Sequence, residues 1–238
     1  MKFALCTQCT HIRQQKKTCL NEVQKSQIDR VAQSHHLFVR EERQSYYFRR
    51  SQAILQRPDF LSIIIDGADQ AAYGLPHFLE KDKASSSQKL PVYLMGALVH
   101  GRSCYAFTYL NNIKHGTNIV IECLHRIFIH QKNNYGALPR VLYLQVDNTC
   151  KQNKNKFMIG YLGCLVQWGL FTQVYLSFLP VGHTDVDQYF SKISGYLRTH
   201  DAFDRQGIVL AAKQYSPNWA SDDFQIHTCC QLLCLDRD

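Results

Sequence analysis

Two aspartates in this sequence stand where buried-looking strands stop. Val141, Leu142, Tyr143, Leu144 and Val146 make a short apolar, β-branched and aromatic run after Pro139, and the run ends on Asp147. It reads as an interior strand of a largely parallel sheet. Leu61-Ser-Ile-Ile-Ile65 is a second compact strand and runs into Asp66. Open α/β sheets place their chemistry at the carboxyl ends of strands, because these ends hold side chains rigidly beside a crevice. Behind Asp147 come Asn148, Gln152, Asn153 and Asn155, interleaved with Lys151, Lys154 and Lys156. Such a group can meet metal-bound water and phosphate oxygens. The competing explanation is an Asx turn that closes a strand, with lysines that are merely solvated.

A second set of chemically able residues opens the chain. Cys6-Thr-Gln-Cys9 offers two thiols at a zinc-ligand spacing, with Cys6 and Cys9 as the ligands and Cys19, His35 or His36 as completions. The spacing matches no standard finger, and free cysteines on a helix compete with it. The ten cysteines otherwise lie mostly inside apolar runs, as Cys104, Cys123 and Cys164 do, and read as reduced thiols acting as small hydrophobes.

The elements that must position these groups follow from pattern. Asn21 to Leu55 holds no Pro or Gly, and Ile28, Val31, His35 and Phe38 recur at helical intervals, which predicts a long helix or helix pair. Val92–Val99 and Cys104–Leu110, joined by His100-Gly-Arg-Ser103, carry a hairpin signature. Val120, Leu124, Ile127 and Phe128 form the stripe of a helix packed on a sheet. A helix is expected from Asn153 to Trp168, a strand from Thr172 to Leu179, and a last helix from about Gly182 to Thr199 with Thr184 as N-cap. After 200 no period is sustained. The expected division is a helical, basic extension over 1–58, an α/β domain over 59–200 and an irregular or partly helical tail over 201–238.

Composition bounds the class. At 238 residues, with 45% hydrophobic and 19% charged content, the chain can bury a substantial core. No apolar stretch reaches the roughly 20 residues of a membrane span, and Met1 to Cys6 is short for a signal peptide, so an intracellular location is expected, with no membrane partner. Residues 1–60 hold eleven Lys and Arg against five Asp and Glu, so +6 of the net +8 lies there. That asymmetry points to a polyanion, nucleic acid first, although a solvated basic helix has the same composition. Arg40, Arg43, Arg49 and Arg50, with Tyr46 and Tyr47 between, could track a phosphate backbone. No phosphate-cradling glycine loop and no Gly-x-Ser-x-Gly elbow is present, which removes nucleotide-hydrolase and esterase readings. No small-molecule substrate is expected.

Taken together, Ile65-Asp-Gly-Ala-Asp69-Gln70, Val146-Asp-Asn-Thr-Cys-Lys-Gln152-Asn-Lys-Asn155, Gly182-His-Thr184 through Asp187-Gln188, and Phe190-Ser191 resemble the transposase-derived DDE-type domains found through eukaryotic genomes. The resemblance covers roughly residues 1–200. It implies the ribonuclease H-like α/β fold: a mixed sheet of three antiparallel strands then two parallel ones, flanked by helices, with the first and fourth strands side by side. It also implies an acid triad of Asp66, Asp147 and Asp187, with Asp185 as the alternative third member. Carboxylates converging from two strands and a helix make a hard oxygen site for Mg²⁺ or Mn²⁺. Two such ions, with Asp66 bridging them, suit in-line phosphodiester displacement. Asp187 also fits a capping box with Thr184. His183 could orient a ligand or shuttle a proton, or simply hydrogen-bond at a helix start.

The function so implied is a metal-dependent polynucleotidyl transferase or nuclease acting on DNA in the nucleus, with Lys151, Lys154, Lys156, Arg49 and Arg50 against phosphates. A catalytically inactive nucleic-acid-binding or protein-interaction module is the rival reading. A fragment of a mobile element with no selected role is a third.

Overall fold

The computed structural model describes residues 6–19, 21–79, 89–178, 185–215 and, for the backbone alone, 224–228. The β-branched run before Asp66 forms β1 (Phe60–Gly67). Next come β2 (Val92–Val99) and β3 (Ser103–Leu110), a hairpin whose turn uses Gly101 at φ 72°, a left-handed conformation open to glycine. β4 (Val141–Val146), β5 (Gln173–Phe178) and β6 (Phe224–Thr228) complete a six-stranded sheet in the order β5-β4-β1-β2-β3-β6. β2 runs antiparallel to both of its neighbours, β1 and β3, while β4 runs parallel to β1 and β5 parallel to β4. The expected α/β class and mixed sheet are therefore present, and the two strands that end on acids lie side by side.

The tail is partly helical, as expected, and adds a strand that was not. It supplies helix α6 (Arg205–Gln214) and β6, which adds to β3 in parallel at the sheet edge. Neither element has a long apolar period of its own, since α6 buries only Ile208, Ala211 and Ala212. Its place is set by what the sheet leaves uncovered.

Strand alternation divides the core into two faces. Ile63, Ile65, Leu144 and Phe107 point to the side covered by α3 (Thr117–Tyr135) and α4 (Lys156–Gln167), whose Ile119, Cys123, Ile127, Leu162 and Leu165 are buried there. The anticipated stripe of Val120, Leu124, Ile127 and Phe128 is buried in full. On the opposite face Ile64, Leu94, Leu98 and Ala106 meet Val186, Tyr189, Phe190 and Ile193 of α5 (Asp185–Leu197) together with α6.

At the N-terminus α1 (Thr7–Thr18) leads into α2 (Glu22–Leu55), one uninterrupted 34-residue helix capped by the Asn21 side chain. The stripe expected on α2 is only partly the buried one. His35 is buried, whereas Val31 and Phe38 are more than half exposed. The first half of α2 packs on a single helix, which covers a narrower strip than a sheet would. Its last turns do reach the domain: Tyr46 and Ala53 are buried, and Tyr143 donates to Gln52 at 3.0 Å.

One glycine controls how α5 sits. A Cβ on Gly96 of β2 would lie 2.8 Å from the Phe190 ring and 3.1 Å from Val186, so the helix rests directly on strand backbone. Gly96→Ala is expected to cost about 1–3 kcal/mol by overpacking. Gly163→Ala, at an exposed α4 position with nothing within 4 Å of the new methyl, should be neutral or stabilising by up to about 1 kcal/mol. Denaturant melts of the two variants check this, and a Gly96→Ala protein as stable as the parent would refute the close seating of α5.

Candidate functional site

Register brings the acids together. Ile64 of β1 pairs with Gln145 of β4, so two residues further on Asp66 and Asp147 leave the sheet as neighbours at the same edge. Asp66 shares a face with Ile64, the face on which α5 lies, and the first turn of α5 carries Asp185 and Asp187. Burial raises the Asp66 carboxyl to about 7, the negative charge of Asp147 adds to this, the Gly67 N–H bond at 2.7 Å opposes it, and Asp187 raises it further. The electrostatics thus link all three acids.

Asp185 belongs to a different group. Its Oδ2 accepts from Tyr46 at 2.9 Å and pairs with Arg50 at 2.8 Å, and Tyr46 bonds in turn to buried His100, whose Nδ1 meets Ser62. Burial would raise the Asp185 carboxyl, but the bonds from His100 and Tyr46 and the charge of Arg50 hold it below the usual range. Asp185 thereby ties α2, β1 and α5 together, and Asp187 is the one whose charge acts on Asp66.

The loop after Asp147 is ordered by its own amides. Asp147 Oδ1 accepts from the Thr149 N–H at 3.1 Å, the Thr149 hydroxyl at 2.7 Å and Asn153 Nδ2 at 2.5 Å. Asn155 caps α4 by accepting from Phe157 and Met158, and its amide donates to Thr117 at 2.7 Å. Gln152 bonds to His115. The Asx turn is therefore real, and Gln152, Asn153 and Asn155 shape the loop. Oδ2 of Asp66 and Oδ2 of Asp147 accept no bond among the described residues.

His115 was not anticipated. Its Cε1 would lie 3.9 Å from a Cβ on Gly67, it stacks with Tyr93 and Tyr109, and its Nδ1 meets the Tyr109 hydroxyl at 2.6 Å. Burial and then the charge of Lys151 depress its pKa, against the pull of Asp147. A lone histidine in the loop before α3 carries no local signal; only the fold brings it beside Gly67 and Asp147.

Of the basic candidates, Lys151, Lys154 and Lys156 are exposed, with Lys154 over the Phe178 ring and Lys156 over Phe157, each within 5.5 Å. Arg49 bonds Ser177 and lies over Tyr143 and Tyr175, and Arg50 pairs with Asp185, so both help to dock α2. Arg40 and Arg43 are exposed on α2. His183 and the expected N-cap Thr184 lie outside the described residues. At the far end of α2, Cys6 and Cys9 meet His35, while Cys19 bonds to the Asn21 carbonyl and His36 stays outside the group. That trio could bind a metal such as zinc.

The sequence profile of DUF7869, a domain of unknown function, matches residues 82–225. The chain belongs to that family. The match spans β2 through the start of β6 and so contains Asp147 and Asp187, whereas β1 with Asp66 precedes it. No curated protein is significantly similar in sequence. Among the described residues no helix of this DUF7869 protein is long and apolar enough to cross a membrane.

The raised Asp66 carboxyl has a sign that can be tested. Below about pH 4 it is protonated folded and unfolded alike, and it has no effect. Between about 4 and 7 the unfolded chain ionises and the folded one does not, so stability falls as pH rises. Above 7 the penalty is complete. Asp66→Asn is therefore expected to stabilise the protein by about 1–3 kcal/mol at pH 8, without added divalent cation, and to change nothing near pH 4. Thermal melts at the two pH values read this out; identical melting at pH 8 would show that the Asp66 charge carries no penalty.

Proposed function

We propose that this domain is a ribonuclease H-like, transposase-derived unit that cuts or joins DNA phosphodiesters with Asp66, Asp147 and Asp187. The observation that carries the reading is the pairing of β1 with β4, which sets two aspartates side by side where a third from α5 acts on the same ionisation. The donor set fits a hard divalent cation. It is all carboxylate, two of its oxygens are uncommitted, and the burial and then the repulsion from Asp147 and Asp187 that raise Asp66 are what a cation would offset. Mg²⁺ or Mn²⁺ bound there would supply Lewis-acid activation of a water or 3′-hydroxyl and stabilise the leaving oxygen.

The chain's own residues do the rest. Asp147 is held in one orientation by Thr149 and Asn153, so its free Oδ2 is aimed without reorganisation. If the Gln152 amide donates to His115 Nε2, the proton sits on Nδ1 toward Tyr109, and the ring stays neutral beside the acids. A groove of about 380 Å³ runs from Asn148 between β5 and α2, lined by Phe38, Arg49, Lys154 and Phe178 along with Glu42. Cationic and aromatic side chains in one groove suit a nucleic-acid strand. Action on DNA would place the protein in the nucleus.

The three bonds accepted by Asp147 Oδ1 favour a second reading, in which that carboxylate serves only to shape a loop and the domain binds nucleic acid or protein without catalysis. Mn²⁺-dependent nicking of supercoiled plasmid separates the two. The wild type should nick, and Asp147→Asn should be slower by at least about 100-fold, the scale expected for losing a catalytic electrostatic group. Equal cleavage, or none in either protein, removes the enzyme.

DNA binding itself has a separate readout. Replacing Lys154 and Lys156 by Gln should lower the slope of log affinity against log salt by roughly one unit per lost phosphate contact. Anisotropy titrations across a salt series measure it, and an unchanged slope would mean that both lysines face solvent.

A further inference from the structure

Among the described residues the hairpin of α1 and α2 buries little apolar surface. Ile12 is the one buried residue of α1, Ala32 and His35 are the buried residues of the facing part of α2, and neither Ile12 nor Ala32 belongs to either core. The Lys16–Asp29 pair at 2.5 Å joins exposed side chains, which contribute little. Small helical units of this kind usually need a staple.

Side chains suited to one converge here. The Sγ atoms of Cys6 and Cys9 lie 3.3 and 3.2 Å from His35 Nε2, and all three atoms are within 4.8 Å of one another. A tetrahedral ion with Zn–S near 2.3 Å and Zn–N near 2.0–2.1 Å requires an S···N edge of about 3.6 Å, a few tenths longer than observed. Cys6 precedes the first residue of α1 and Cys9 is its third, so the spacing of three turns both thiols to one side of the helix start. His35 comes from α2 and is 7% exposed. Cys19 and His36 are excluded by position, the first engaged at the α1–α2 turn and the second outside the cluster.

We propose that Cys6, Cys9 and His35 hold a single zinc ion that pins α1 to α2. Two thiolates and one imidazole are a sulfur and nitrogen set that suits zinc and not the oxygen-seeking Mg²⁺ or Ca²⁺. The thiolates cancel the charge of the ion, which lets the centre sit against the half-buried helix contact. Among the described residues no fourth side chain joins the trio, so the remaining tetrahedral position takes water or an added ligand. The centre is independent of the carboxylates at the sheet edge, and its metal differs from theirs in ligand chemistry.

Zinc content of the full chain purified without chelator tests the proposal. The expected result is about one zinc per chain in wild type, a loss of at least fivefold in Cys9→Ser and in His35→Asn, and no change in Cys19→Ser or His36→Asn. Replacement by Co²⁺ should give thiolate-to-cobalt absorption in the wild type and lose it in Cys9→Ser. Chelation should speed proteolysis of α1 while leaving the melt of the sheet domain in place, a readout that needs no variant to fold. Wild type without zinc, zinc retained by Cys9→Ser, or a Cys6–Cys9 disulfide in protein isolated under reducing conditions would each overturn it.

Discussion

Parallel pairing of β1 with β4 is the constraint from which the rest of this domain follows. Parallel strands end at the same edge, so residues that terminate both strands meet there without any loop having to bring them together. Burial there holds back ionisation of Asp66, and the charge of Asp147 adds to it. The sheet can impose the arrangement because its interior rows, Ile63 to Ile65 against Leu142 and Leu144, bury enough apolar surface to outweigh a local electrostatic cost of a few kcal/mol. A buried carboxylate whose ionisation is held back is what such a geometry produces.

Around that edge the polar side chains divide their work. Asp185, His100, Tyr46, Ser62 and Arg50 form a network that locks α2 and α5 to the strands. Asn153, Thr149 and Asn155 instead lock the loop between β4 and α4. Two aspartates two residues apart on α5 therefore do different things. One is held by Tyr46, Arg50 and His100, and the charge of the other acts on Asp66. The close seating of α5 on Gly96 decides which is which, since it fixes the rotation of the helix over the sheet.

Helix α2 joins two environments. Its C-terminal turns are part of the domain, with Arg49 spread over Tyr143 and Tyr175 and bonded to Ser177. Its N-terminal half extends away to meet α1, where burial is slight and three ligand-type side chains converge. The groove lined by Phe38, Arg49 and Lys154 lies between α2 and the carboxyl ends of β4 and β5, so the pose of α2 also sets its width.

How much of this could be read from residues alone depends on the range of the interaction. Short-range patterns carried far: the apolar runs ending on Asp66 and Asp147, the His100–Ser103 turn and the α3 stripe are all local, and backbone hydrogen bonding leaves them few alternatives. The Cys-x-x-Cys spacing was visible for the same reason, yet the choice of His35 over His36 or Cys19 required the rotation of α2 against α1. Long-range choices were not legible. His115 lies about fifty residues from Gly67 in sequence but beside it in space, Asp185 is told apart from Asp187 by Arg50 and His100 from other elements, and β6 finds its place only because β3 leaves an edge unpaired. Composition reports the charge of Arg49 and Arg50 but not their partners, Ser177 and Asp185. The sequence by itself determined the strands and helices between Phe60 and Leu197 and which of them end in acids. Tertiary structure decided which side chains share a site, because that depends on register and helix rotation, quantities set by packing between elements far apart in the chain.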